Sequence, residues 1–479
     1  MPLILMEEGN SRSHEELDSK RDLSVDRRGY LRSVGVLGAL GVGASASAST
    51  AAAQDGSDLI DYDGRAEDAE WREAADERID EIRKTDVEVE VRNPGGNPMN
   101  DATVDVEMVD HAFDFGSAVS VSHVLGDSED DEIYRETFLD TFNKAVIENG
   151  LKFPSFEGPW GDSKAGAKAA LDWLNDNDIP TRGHYLLWEG GDTSTGGGMA
   201  IPNADELSDE EVHQRVNERI ADHASDIGDQ VTEWDMHNHP IWQSQFRDRD
   251  GIGWGGENDF RDWWDTADEN TDAELYTNEM GNVAGDFFRD AHYGFVNGLV
   301  QSGAPIDGVG FMGHVQQPNG NVTPPKEMLE TYDQYSDLGL PILITEFDIQ
   351  IESRDDETLV EWQTDFLRDF LTASFSHESV EGVMSWGFWA GDHWRPTGAY
   401  YDEDWTLRPH GEQFLDLVFD EWWTDETGQT ASDGRYGTRA FKGDYRISAE
   451  KGDLSGETTA TVDDDTDTVV VELTPPGKN

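Results

Sequence analysis

Pro341-Ile342-Leu343-Ile344-Thr345-Glu346-Phe347-Asp348-Ile349 is a β-branched and apolar run that ends in two acids. Behind it, Leu359, Trp362, Phe366 and Phe370 recur at helical spacing on one face, and a second apolar run follows at 381–389. Strand, amphipathic helix and strand in that order form the unit of a parallel sheet. Similar runs stand at 113–120, 145–153, 181–188, 231–238, 274–281 and 308–314, and Phe414, Leu415, Val418 and Phe419 supply a last helical face. Eight strands alternating with eight helices over about 310 residues predict a closed α/β barrel, the (β/α)8 TIM barrel. The competing topology, a doubly wound open sheet, would carry a glycine-rich phosphate turn after an early strand, and none is present.

The barrel is expected to occupy 113–422. Before it, at 54–112, a charged stretch at 66–84 suits a surface helix. Alternating runs at 86–91 and 102–109, joined by Asn93-Pro94-Gly95-Gly96-Asn97-Pro98, read as a β-hairpin. After it, at 423–479, short alternating runs at 445–449, 458–462 and 468–473 predict a small β element able to pair with that hairpin. At the start, Asp26-Arg27-Arg28-Gly29-Tyr30-Leu31 precedes a weakly apolar run at 34–42 and small residues at 43–53. Residues 1–53 thus resemble a twin-arginine export signal, and a secreted protein is expected. An acidic tail with a chance arginine pair is the alternative.

Charge is extreme: 35 basic against 102 acidic residues give a formal net charge of −67 over 479 residues. Nucleic acid and anionic membranes are therefore not expected as partners. With 16 Trp, 20 Phe and 12 Tyr the chain still has the material for a packed core, so the acids read as a solvated surface suited to high salt. Cysteine is absent, which excludes a thiol nucleophile, a disulfide framework and cysteine-bound metal. Catalysis must use oxygen and nitrogen groups, and no single acid among 102 is informative without its position.

Barrel enzymes build their sites at the C-terminal ends of the strands. There the sequence places Glu148, Asn149 and Lys152; Arg182, His184 and Trp188; Asp235, His237, Asn238 and His239; Asn278 and Glu279; His314; Glu346 and Asp348; Trp386, Trp389 and Trp394. Carboxylates, amides, imidazoles and tryptophans around one mouth suit a sugar, whose hydroxyls need donors and acceptors and whose ring faces stack on aromatics.

From about 78 to 473 the chain resembles glycoside hydrolase family 10, the endo-β-1,4-xylanase family. The resemblance is carried by Glu148-Asn149-Gly150-Leu151-Lys152-Phe153, Arg182-Gly183-His184, Glu233-Trp234-Asp235-Met236-His237-Asn238, Gly308-Val309-Gly310, Ile344-Thr345-Glu346-Phe347-Asp348-Ile349 and Trp386-Gly387-Phe388. Phe113-Asp114-Phe115-Gly116 and Phe441-Lys442-Gly443-Asp444-Tyr445 look closest to the plant-like branch, and the acidity to a haloarchaeal type. The resemblance implies a polysaccharide substrate, xylan or a related β-glycan, and no cofactor or metal is expected; a monomer is the expectation, although the sequence does not fix the oligomeric state. The resemblance also implies Glu346 as nucleophile of a retaining mechanism, His314 bonded to Glu346 and oriented by Asp348, and Asn238 on the sugar 2-hydroxyl. Glu148, Asn149, Lys152 and His184 would bind neighbouring hydroxyls, and Trp188, Trp386 and Trp394 would wall the subsites. Glu148 and Lys152 could instead be a structural ion pair, and the tryptophans barrel-to-helix packing.

The departures are as informative. The family's general acid, the Glu after the strand-4 Asn, is here His239. An imidazolium can donate a proton, but it sets a positive charge beside a developing oxocarbenium ion. The acid/base is therefore His239, or a displaced carboxylate such as Glu189 or Glu279, or hydrolysis is lost. Met312, Met280 and Phe153 also replace a Gln, an aromatic and a Trp of the family pattern. Two other classes remain open: a carbohydrate-binding barrel without turnover, and a metal-dependent barrel hydrolase using His237-Asn238-His239 with His184, His314 and Asp348.

Overall fold

The computed structural model describes residues 61–475 apart from 158–159, 161–162, 191–197, 318–320 and 467. The expected export signal at 1–53 lies outside the described residues. A helix, Glu70–Ile82, leads into β1 (Lys84–Arg92) and β2 (Thr103–His111). Then come β3 (Asp114–Val119), β4 (Lys144–Ile147), β5 (Thr181–Gly183), β6 (Leu187–Trp188), β7 (Glu233–Asn238), β8 (Glu274–Glu279), β9 (Gly308–Gln317), β10 (Ile342–Ile351) and β11 (Val380–Ser385). These nine strands, β3 to β11, pair in parallel in one sheet, and β5 and β6 both lie along β7, so the sheet closes as a barrel of eight staves, one of them split in two. Every apolar run identified in the sequence contains or overlaps a stave. The run at 145–153 stops being a strand at Ile147; residues 148–152 form the turn that carries Glu148 and Asn149, and Phe153 opens a short helix.

The helices pack on the outside for the reason the periodicity gives. In the helix Glu357–Phe375 the Asp356 side chain caps the first turn, and Trp362, Phe366 and Phe370 are fully buried, with Phe370 stacked on Phe347 of β10 at 4.3 Å. Inside, Ala118, Val146, Tyr276, Leu343, Met384 and Trp386 form a separate apolar cluster. Beside it runs a chain of buried charges: Lys144 bridges Asp114 and Glu233, and Arg182 bridges Glu233 and Asp235. Every charge in that chain faces an opposite one, the condition under which burial is tolerated.

Outside the barrel, β12 (Asp425–Gln429), β13 (Arg435–Phe441), β14 (Gly443–Lys451), β15 (Leu454–Val462) and β16 (Val469–Glu472) complete two further sheets, ordered β13-β1-β16 and β12-β2-β14-β15. The hairpin expected at 86–109 is therefore not formed, because β1 and β2 belong to different sheets. Val87, Val89 and Val91 of β1 and Val104, Val106 and Met108 of β2 are all buried. A two-stranded ribbon would leave such a face uncovered, whereas here these side chains join the main apolar core. The C-terminal strands do pair with both N-terminal ones. Arg83 fixes this layer to the barrel by donating to the carbonyls of Phe375, His377 and Val380 at 2.6–2.8 Å.

Candidate active site

Two bulges at the strand ends decide which side chains enter the cleft. On β10, Leu343 faces the interior and Ile344 the helices, so strict alternation would turn Glu346 outward. The register against β9 slips between Ile344 and Glu346, which brings Glu346 back inside two residues before Asp348. Asp348 then lies opposite His314. On β7 a slip between Asp235 and His237 has the opposite result. His237 turns out against Trp263 and Phe295 and bonds Glu189 at 3.1 Å, while Asn238 returns to the interior.

Glu346 is held by one donor on each carboxylate oxygen. Its Oε2 accepts from His314 Nε2 at 3.0 Å and its Oε1 from Asn278 Nδ2 at 2.9 Å. His314 Nδ1 donates to Asp348 at 3.0 Å, and Asp348 also accepts from Trp394 Nε1 at 2.7 Å and Arg395 Nη1 at 3.0 Å. Burial alone would raise the Glu346 pKa, but the hydrogen bond from His314 and the fields of His184, His314 and His239 hold it down at about 2. Asp348 is likewise held at about 2, and the two acids push His314 up to about 9 in spite of its burial. At neutral pH this is a cation between two anions, with both ring nitrogens donating. Asn278 also donates to Asn238 Oδ1 at 3.0 Å and accepts from Thr345. A side chain at Gly310 would meet Thr277, Thr345 and Asn278 within 2.9 Å, so glycine there is what lets them meet.

The opposite wall is built around His239. The chain turns directly after β7 with His239 at φ +53°, a left-handed conformation uncommon for a side chain with a Cβ. The His239 backbone N–H donates to the Asn278 carbonyl at 2.8 Å. Its ring sits 4.7 Å from Trp188 and 4.9 Å from Trp242, and its Nδ1 lies 3.1 Å from Glu279 Oε1. Glu279 also accepts the backbone N–H groups of Met280, Ile241 and Trp242. Glu189 is equally engaged, by His237, by Arg247 Nε and by the backbone N–H groups of Phe246 and Arg247. Both carboxylates named as displaced acids are thus fully buried hydrogen-bond hubs with lowered pKa values, against the push of burial. Neither is a proton donor at neutral pH.

Between these walls, His184 donates from Nδ1 to Asp235 at 2.6 Å and sets its edge on Trp386. Lys152 Nζ donates to Asn149 at 2.9 Å and lies 5.7 Å over the Trp386 ring. Burial raises the Glu148 pKa and lowers that of Lys152, each partly offset by the other. Trp394 is half exposed, edge-on to His314 at 4.7 Å, with Arg395 over its ring. Trp188, Trp386 and Trp394 thus each lie beside a histidine of the mouth, His239, His184 and His314 respectively. The histidines His237 and His239 do not converge, and among the described residues no group of three or more His, Asp or Glu is placed to hold a metal ion. Asn278 and Trp242 belong to the site although the sequence reading gave neither a role: Asn278 was visible only as a strand-end residue, and Trp242 lies in a loop whose course no pattern announces.

A closed parallel barrel with paired polar walls and a tryptophan-lined mouth defines the class as a barrel protein built around a sugar-type cleft. The model of glycosyl hydrolase family 10 matches residues 106–415, and the chain belongs to that family. It is 31% identical over 381 residues to the anti-sigma-I factor RsgI6 of Acetivibrio thermocellus, covering 79% of this chain and 46% of that protein. It is 27% identical over 376 residues to endo-1,4-beta-xylanase 2 of Arabidopsis thaliana, covering 77% of this chain and 33% of that protein. The chain thus spans less than half the length of either curated relative. Xylanase 10B from Thermotoga petrophila RKU-1, crystallised with xylobiose, superposes with a TM-score of 0.55 at 19% identity, over 65% of this chain and 95% of that one, a likeness of fold.

Proposed function

We propose that the protein hydrolyses xylan or a related β-1,4-linked glycan with retention of configuration, using Glu346 as nucleophile and His239 as acid/base. The observation that carries this reading is the state of Glu346. It is a carboxylate buried at the mouth of the barrel, kept ionised by His314 and aimed by two hydrogen bonds. Binding a neutral sugar does not require such a group, whereas covalent attack on an anomeric carbon does. Family membership and the match to a plant endo-1,4-beta-xylanase support the substrate class, and the plant-like branch belongs to the same proposal. Export through 1–53, action in high salt of a haloarchaeal kind and a monomeric state belong to the same proposal, supported by the arginine pair and by a net charge of −67 that disfavours nucleic-acid and membrane partners.

A second reading, a glycan-binding barrel without turnover, is favoured by one residue, His239 in place of a carboxylic acid. Incubation of the full chain with xylan and other β-glycans in concentrated KCl separates the two. Release of reducing ends, with the β-anomer formed first by NMR, is expected. Binding without release would establish the second reading.

A further inference from the structure

A carboxylic acid that protonates the leaving oxygen is neutral before the transfer and carries one negative charge after it. An imidazole alone is one unit more positive in both states, beside a sugar ring that itself becomes positive. Glu279 supplies the missing unit. Its Oε1 accepts from His239 Nδ1 at 3.1 Å and from the Met280 N–H at 2.9 Å; its Oε2 accepts from the Ile241 and Trp242 N–H groups at 2.7 and 3.0 Å. These donors leave it ionised although it is fully buried. The imidazole behind it, His292, is held by burial at about 4 and is neutral. Glu189 offers a contrast, because Arg247 already neutralises it. Among the described residues the partner that can balance the Glu279 charge is His239, when protonated. A carboxylate accepts and cannot donate, so Nδ1 carries the hydrogen and Nε2 is the nitrogen left to exchange a proton.

We propose that His239 and Glu279 act as one acid/base unit, in which Glu279 is a positioning residue that fixes the imidazole tautomer and gives the pair the net charge of the carboxylic acid it replaces. The inference rests on the reading of His239 as acid/base. In the first step Glu346 bonds to the anomeric carbon, the glycosidic C–O bond breaks, and the Nε2 proton passes to the departing oxygen. In the second, a water oxygen bonds to that carbon, the ester to Glu346 breaks, and the water proton returns to Nε2. Glu279 stays ionised throughout.

The test compares wild type, Glu279→Gln, His239→Gln and the double variant on xylan and on aryl β-xylobiosides with leaving groups from dinitrophenol to phenol. Wild type is expected to turn over the whole series. Glu279→Gln and His239→Gln are each expected to lose ~10²-fold in kcat/KM on phenyl xylobioside and xylan, the lower end of what general acid catalysis supplies. On the dinitrophenyl substrate, which needs no protonation, each should lose less than about threefold. The double variant should be no worse than the poorer single one. A Glu279→Gln loss equal across leaving groups would show a merely structural role and overturn the inference while leaving the hydrolase reading intact. Inactivity of wild type on every substrate would overturn both. Because Glu279→Gln could unfold the 239–243 turn, 15N NMR of the wild-type His239 ring is the second measurement. Protonation at Nδ1 at every pH is expected, and an Nε2-protonated neutral tautomer would overturn the proposal.

Discussion

The two walls of the cleft are held in different ways. On the β9 and β10 side, His314 and Asp348 are register partners in a continuous ladder, and Glu346 is placed by a bulge within it. Sheet pairing places the backbones of all three residues there. On the β7 and β8 side, His239 lies just past the end of its strand, and its place depends on a turn of chain wrapped around one carboxylate, Glu279. A ladder position tolerates few alternatives, because changing one side chain leaves charged neighbours unpaired. A turn hung on a carboxylate can present a different side chain at position 239 without disturbing the ladder.

The largest expected effect breaks the ladder side. Glu346→Ala removes the proposed nucleophile and should lower kcat on xylan by ~10⁴-fold or more, the scale seen when a nucleophile is removed from a cooperating set. Added azide should rescue the dinitrophenyl substrate, giving a glycosyl azide of inverted configuration. Unchanged activity of this variant would refute the assignment outright.

His314→Asn comes next and sharpens the comparison through pH. In the wild type Glu346 is ionised down to about pH 2 and His314 is protonated up to about pH 9. Depressed acids bind fewer protons folded than unfolded, so Glu346 and Asp348 contribute full stability above the ordinary carboxylate range and lose it as pH falls toward 2. His314, raised, contributes fully below its ordinary value of 6.5 and loses that contribution as pH rises through about 9. The cluster is therefore most stabilising between roughly pH 4.5 and 6.5. Without the imidazolium, the acid limb of kcat/KM on dinitrophenyl xylobioside should move up by about 1–3 units, the effect of losing an adjacent opposite charge. An unmoved limb would show that the hydrogen bond from Asn278 suffices.

The same contrast explains what could be read from the sequence. All eight staves were legible because they are apolar runs alternating with stretches of 3.6-residue periodicity; Glu346 and Asp348 were legible because a motif fixes them on one strand, and His314 because it ends the run before it. Side-chain direction at the bulges was not legible: period-two alternation cannot show that Glu346 turns in and His237 turns out, since a bulge is a property of two strands together. Nor was the partner of β1. The Asn-Pro-Gly-Gly-Asn-Pro link signals a turn, but a turn does not say whether the chain returns to the same sheet. Glu279 was visible as an acid at a strand end. Its four donors come from two segments far apart in sequence, three backbone groups and one imidazole, and only the folded chain brings them together.

The smallest expected effect probes the turn side without touching a titrating group. Trp242 is half exposed and meets the His239 ring edge to face at 4.9 Å, while its backbone N–H, which any residue keeps, serves Glu279. Trp242→Ala therefore removes one wall of the imidazole and leaves the carboxylate hub in place. An aromatic contact of this kind is worth about 0.5–1.5 kcal/mol, so the loss in kcat/KM on phenyl xylobioside should be roughly two- to tenfold. If Trp242 restrains only the ring, dinitrophenyl xylobioside should be hydrolysed as by wild type. A loss of the same size on both substrates would instead place Trp242 in direct contact with the sugar and shift its role from the acid/base wall to the binding surface.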